Sequence, residues 1–204
     1  MSRGGGALVD PSGRRSTVPV MAARALARLL VAAVVAVAVA GCAEPASLGG
    51  DARVRRIEAR VTAVTDGDTL RAVATGSGRS YDVRLIGIDT PETRRPGTPV
   101  ECGGPQASAN MERLALADGR GVAVTLTTDA SQDTRDRYGR LLAYVTRSDD
   151  VDLARAQLRA GWAEVYVYER AFARLERFES AQRAARAERL GVWGACAGGF
   201  HRPR

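Results

Sequence analysis

Three short clusters hold the residues best suited to chemistry. They are Thr65-Asp66-Gly67-Asp68-Thr69, Arg84-Leu85-Ile86-Gly87-Ile88-Asp89-Thr90-Pro91-Glu92-Thr93, and Asp136-Arg137-Tyr138-Gly139-Arg140-Leu141-Leu142-Ala143-Tyr144. Each has a plain structural reading on its own. Asp-Gly-Asp is a common turn. Asp89-Thr90-Pro91-Glu92 reads as a helix N-cap with an acid in the first turn. Tyr138-Gly139-Arg140 fits a surface loop. Together they offer a complete chemical set. Asp68 and Asp89 each fall beside a predicted strand end, where a barrel would bring them together. Two carboxylates with a carbonyl and waters make a hard oxygen site, suited to calcium rather than zinc. Glu92, three residues beyond Asp89, is within reach of a metal-held water. Arg84 and Arg140 supply two cations for one phosphate. Phosphodiester hydrolysis needs such a set: a metal, a base, and charge stabilisation in the transition state.

The elements that would position these residues follow from the pattern of apolar residues and breakers. Residues 53–75 read as strand, Asp-Gly-Asp turn, strand. Gly76-Ser77-Gly78 turns the chain into a third strand over Tyr81–Ile88, which Pro91 ends. A Gly/Pro-rich loop follows at residues 93–104. Gln106–Ala117 is predicted helical, with Ala109, Leu114 and Leu116 on its buried side and Asp118-Gly119 as its stop. Val122–Thr127 and Leu141–Thr146 are two more strands around a charged loop. Val151–Ala160 is a helix capped by Asp149 or Asp150 and ended by Gly161. Glu169–Leu190 is a longer helix that buries Phe172, Leu175, Phe178 and Leu190. Five strands interrupted by one helix and followed by two predict an α+β chain, mainly β: an OB-fold five-stranded barrel with three helices.

Composition is compatible with one folded domain and appendages. The 204 residues are 45% hydrophobic and 26% charged, with a formal net charge of +7. Every basic residue other than His201 is Arg. Residues 1–42 carry five Arg and one Asp, a charge of +4, which leaves +3 for the rest. A mature domain so weakly basic does not argue for a nucleic-acid partner by charge alone.

The N-terminus reads as an address. Two Arg after Met21 precede an apolar run, Leu29–Ala40, of signal-peptide length. It ends in Val39-Ala40-Gly41-Cys42, which resembles the lipobox of bacterial lipoproteins. Lipidation of Cys42 is therefore expected, with an ordinary cleaved signal peptide as the alternative. Residues 1–42 would be extension and signal, 43–52 a flexible tether, 53–196 the folded domain and 197–204 a tail. Cys102 and Cys196 remain as an even pair in an oxidising compartment, which predicts a disulfide. Two free buried thiols are the alternative. The single histidine, His201, is expected to be a solvated tail residue.

At the three clusters the chain resembles the staphylococcal nuclease family, and the likeness runs from about Val61 to Trp193. The resemblance implies calcium held by the side chains of Asp68 and Asp89 and the backbone carbonyl of Thr90. Glu92 would hold or deprotonate the attacking water. Arg84 and Arg140 would grip the phosphate, and Arg137 stands where the family carries Lys near the substrate. Tyr138 would contact the nucleotide on its 3′-phosphate side, and Tyr166 and Tyr168 would flank the base pocket. Tyr166-Val167-Tyr168 also reads as a buried strand. The implied activity is cleavage of DNA and RNA, in single-stranded or unwound regions, at the 5′ P–O bond to leave 3′-phosphates. The expected enzyme is a monomer, exported and held at the outer face of the membrane or secreted. The alternative is a catalytically inactive OB-fold lipoprotein that binds nucleic acid. Retention of Asp68, Arg84, Asp89, Glu92 and Arg140 together disfavours it.

Overall fold

A computed structural model describes residues 54–93, 97, 99–117 and 119–201. The expected signal segment 1–42 with Cys42, and the tether 43–52, lie outside the described residues. The chain forms β1 (Arg56–Val64), β2 (Thr69–Ala74), β3 (Ser80–Leu85), β4 (Ile88–Asp89), α1 (Gly104–Ala115), β5 (Leu116–Ala117) and β6 (Arg120–Gly121). It continues as β7 (Ala123–Thr127), β8 (Leu141–Arg147), α2 (Leu153–Arg159), β9 (Glu164–Val165), α3 (Leu175–Ala187) and α4 (Val192–Ala195).

Five strands close into a barrel in the order β1-β2-β3-β8-β7. The β3–β8 pair is parallel and the other pairs are antiparallel. Alternation puts Ala59, Val61, Leu70, Ala72, Val83, Leu85, Val124 and Leu126 inside, and the intervening Arg56, Glu58, Arg60 and Arg71 outside. The helices cover this barrel with Met111, Leu114, Leu153, Leu158 and Phe178, all buried in one continuous core. The α+β, OB-like architecture is thus the one expected. α4, a single short turn beyond the three expected helices, carries Trp193 and ends beside the disulfide residue Cys196.

Several boundaries differ from expectation, each for a local reason. The third strand stops at Leu85, because the chain breaks at Gly87, whose φ is +81°. A β-carbon there would lie 2.4 Å from the Phe172 ring, so only glycine fits. α1 begins earlier than expected, since Pro105 is tolerated in a first turn whose N–H groups have no helical partner. It also ends earlier, where Leu116 turns extended to pair with β6. Its buried side holds Ala107, Met111 and Leu114, whereas Ala109 is exposed. α2 is capped by Asp152 rather than Asp149 or Asp150, through the N–H of Arg155 at 3.1 Å.

The last long helix starts at Leu175 instead of Glu169. Residues 170–173 give their backbone groups to the loop after β7. Asp129 accepts the N–H of Ala173 at 2.7 Å, Ser131 donates to the Ala171 carbonyl at 3.1 Å, and Gln132 donates to the Arg170 carbonyl at 3.0 Å. Phe172 still reaches the core, from an irregular segment.

Candidate active site

The turn between β1 and β2 presents Asp66 and Asp68. Their loop is tight: Asp66 accepts the N–H of Asp68 at 3.1 Å, and the N–H of Thr65 returns to the Thr69 carbonyl at 2.9 Å. A β-carbon on Gly67 would come within 2.7 Å of Thr90, so the turn lies directly against the strand that carries Asp89. The Thr90 N–H and hydroxyl both donate to Asp68 Oδ2 at 3.2 Å.

Arg84 ends β3 and bridges the two carboxylates. Its guanidinium is 3.1 Å from Asp68 Oδ2 and 2.9 Å from Asp89 Oδ1, and it also donates to the Ile88 carbonyl at 2.8 Å. Arg140 approaches from the start of β8. Asp136 holds it at Nε (2.6 Å) and at its backbone N–H (2.9 Å), and Nη1 donates to the Thr69 hydroxyl at 3.3 Å. Glu92 lies just past Pro91. Its N–H donates to Glu101 Oε2 at 2.7 Å, and its own carboxylate accepts the N–H of Thr93 at 2.9 Å.

These groups line one cleft of about 920 Å³, together with Arg137, Tyr138, Tyr166 and Tyr168. Tyr138 and Tyr168 are each 68% exposed and Tyr166 is 45% exposed. The buried-strand alternative for residues 166–168 is therefore incorrect: the edge position in β9 ends at Val165 and the tyrosines turn outward. Arg137 stacks over the Tyr138 ring at 4.8 Å and donates to its hydroxyl at 2.8 Å. The Tyr166 and Tyr168 ring centroids are 6.4 Å apart. Flat, exposed rings beside a guanidinium suit stacking against planar groups.

The site is crowded with negative charge. Burial and the charge on Asp68 push the Asp66 carboxyl up to about 7. Burial also raises Asp89, against the pull of Arg84 and with the help of Asp68. Carboxylates held this close offer the hard oxygen ligands that a divalent cation takes, in a site where Arg84 already bridges Asp68 and Asp89. The implied set is two carboxylates and a carbonyl. Among the described residues, no group of three or more Asp, Glu, His or Cys side chains is arranged to hold a metal.

His201 is exposed, as expected of a tail residue, but it folds back onto acidic residues at the cleft. Nδ1 lies 3.0 Å from Glu101 Oε2, and Nε2 lies 3.4 Å from Asp89 Oδ2 and 3.3 Å from Glu164 Oε1. Burial disfavours the imidazolium, but Asp89, Glu101 and Glu164 outweigh it and hold the pKa above its usual value. The tail returns because Cys102 and Cys196 form a disulfide and Phe200 packs on Trp193 at 4.9 Å.

Sequence reasoning missed Asp66, Glu101, Asp136 and His201. Asp66 had a signal, since it shares the Asp-Gly-Asp turn. Asp136 also had one: it lies four residues before Arg140, in the same motif. Glu101 is brought in by the loop that returns it to the Glu92 backbone, and His201 by tertiary structure alone.

Comparison with known proteins agrees with this picture. A family model described as staphylococcal nuclease homologue matches residues 82–195, more than half of the chain. The chain is 38% identical over 136 residues to a thermonuclease of Staphylococcus intermedius, an alignment covering 65% of this chain and 74% of that one. It is 34% identical over 134 residues to a thermonuclease of Staphylococcus hyicus, covering 66% and 74%. It is 35% identical over 138 residues to the SPbeta prophage-derived endonuclease YokF of Bacillus subtilis, covering 67% of this chain but 44% of YokF. The match thus spans less than half of YokF's length and about three quarters of each thermonuclease. Fold, motifs and matched region together show that the chain belongs to the staphylococcal nuclease family.

Proposed function

We propose that this protein is a calcium-dependent nuclease that hydrolyses phosphodiester bonds of DNA and RNA at the 5′ P–O bond and leaves 3′-phosphates. The observation that carries this reading is the convergence of Asp68, Arg84, Asp89, Glu92 and Arg140 on one cleft. Asp68, Asp89 and the Thr90 carbonyl would hold the metal. The metal would supply Lewis-acid polarisation of a phosphoryl oxygen and lower the pKa of a bound water. Glu92 accepts a proton from the attacking water at its carboxylate. Glu101 orients that group by gripping the Glu92 backbone. Arg84 and Arg140 offer planar donors to the non-bridging oxygens, where negative charge grows. Arg137 and Tyr138 bind the neighbouring phosphate, and Tyr166 and Tyr168 flank a base. The nuclease names of the relatives support the reaction class. Assay of the purified chain on DNA and RNA should give cleavage with calcium and none in excess chelator. Robust cleavage in chelator overturns the metal reading, and nucleic-acid binding without cleavage under any divalent cation identifies a binding module instead.

We also propose that the protein is exported and lipid-anchored through Cys42, on the strength of the short apolar run and the Val39-Ala40-Gly41-Cys42 sequence. Labelling with a lipid precursor should mark the wild type and not Cys42→Ser. Multiple acyl chains would be needed for stable anchoring.

A further inference from the structure

Beneath the candidate metal loop lies an amide that the chemistry above does not use. Gln157, on α2, is fully buried in the core. Its Nε2 donates to the Gly67 carbonyl at 2.8 Å and to the Ala107 carbonyl at 2.9 Å. Its Oε1 accepts from Asn110 Nδ2, and Asn110 is itself buried on α1. Both protons and the oxygen of the Gln157 amide are thus engaged, as a buried amide requires.

The surroundings make this choice of residue informative. Gln157 is flanked on its helix by buried Leu153, Ala154 and Leu158, and the facing side of α1 is buried Ala107 and Met111. An apolar side chain would suit both position 157 and position 110 on packing grounds. What an apolar pair could not do is bond the Gly67 carbonyl. Gly67 is the middle residue of Asp66-Gly67-Asp68, and its two neighbours are the carboxylates of the loop. From the cleft side, Thr90 fixes Asp68 through two bonds to Oδ2. From the core side, the bond from Gln157 fixes the peptide that joins the two aspartates. Gln157 itself does not line the cleft.

We propose that Gln157 is a positioning residue for the metal-binding loop, acting through the Gly67 carbonyl to set where Asp68 meets a cation. This inference rests on the reading of the site as a calcium site. Groups that orient metal ligands from the next layer typically change affinity by about 10–100-fold when removed. Gln157→Leu should weaken calcium binding by that order. In the metal-free chain it should speed amide hydrogen exchange at residues 66–68.

Gln157→Leu also leaves Asn110 Nδ2 without its acceptor, while Arg113 still donates to Asn110 Oδ1, so loss of stability is expected with it. The double variant Asn110→Leu/Gln157→Leu separates the two effects. It removes both polar partners, a change that can be nearly neutral for stability, yet leaves the Gly67 carbonyl without its donor. We expect the double variant to regain much of the melting temperature while its calcium affinity, measured by isothermal titration without substrate, stays low and its loop exchange stays fast. Leu158→Ala, a cavity on the same helix, should lower the melting temperature and leave calcium affinity as it was. Wild-type calcium affinity in folded Gln157→Leu, or in the double variant, overturns the proposal. If Gln157→Leu fails to fold, the double variant decides alone. A wild-type chain that binds no calcium overturns the reading of the site and this inference together, whereas normal binding with unchanged variants overturns this inference only.

Discussion

Arg140 and Arg84 line the same cleft, but they are held in different ways. Arg140 hangs from Asp136 in a loop, with its head group over the Tyr138 ring and a long contact to Thr69. Arg84 is wedged between Asp68 and Asp89 and is also bonded to the Ile88 carbonyl. Arg140→Ala should therefore lower turnover by about 10²–10³, the usual effect of losing one donor that stabilises developing charge, with little change in melting temperature. Arg84→Ala should lower both, because it leaves a buried carboxylate, Asp68, and a half-buried one, Asp89, without their cation. Arg84→Lys should restore part of the stability and little of the rate, since an ammonium cannot reproduce a planar fork. Steady-state kinetics run beside thermal melts would check all three, and an equal loss of rate and stability in Arg140→Ala would give that residue a structural role.

One element of the fold carries no chemistry and still decides the shape of the cleft. The loop after β7 is tied to the segment before α3 by Asp129, which is 8% exposed. Burial pushes its carboxyl up, but bonds from the Tyr144 hydroxyl, the Ala173 N–H and Ser131 outweigh this and hold the pKa below the usual 3.8. A carboxylate with a depressed folded pKa stabilises above the unfolded value, and the contribution fades as pH falls through the folded value. Asp129→Asn should thus cost on the order of 1.5–3 kcal/mol near neutral pH, the usual worth of bonds to a charged group, and less near pH 3. Melting curves of both proteins across that range would show the gap narrowing toward acid. A constant gap would mean that the charge is irrelevant. The same ties explain a limit of sequence reading. The barrel strands were legible because alternation in Ala59-Arg60-Val61 or Val124-Thr125-Leu126 reports burial directly. The carboxylates and arginines were legible because each lies in a short motif at a strand end. The start of α3 was not, because residues 170–173 have helical composition and only a partner loop some forty residues earlier draws their backbone away. His201 and Glu101 were hidden for the same reason: their partners are about a hundred residues apart.

At the scale of the molecule, the disulfide joins the loop beyond Glu92 to the C-terminal segment across 94 residues. In the chain-entropy model a bridge closing about 100 residues is worth about 4.7 kcal/mol, with measured values often lower. Reduction should lower the melting temperature by several degrees. It should also loosen His201 from Asp89, Glu101 and Glu164, because the tail is otherwise held by the contact of Phe200 with Trp193 and by the bond of the Gly198 N–H to the Val192 carbonyl. Melting with and without reductant, beside intact mass after alkylation, would test this. Two alkylated thiols in unreduced protein would remove the premise.

The parallel pairing of β3 with β8 has a consequence in time. Val83 meets Leu141, and on the other side of the barrel Arg56 meets Thr127. Both contacts join stretches separated by more than fifty residues, and non-local closure of this kind makes β-barrels slow folders, on the millisecond-to-second scale. Asp68 and Arg84 lie on the early side of that seam and Arg140 opens the late side. A chain that emerges N-terminus first carries its carboxylates long before its second arginine arrives, so both arginines share the cleft only once β8 has paired, and a half-made molecule has no complete grip on phosphate.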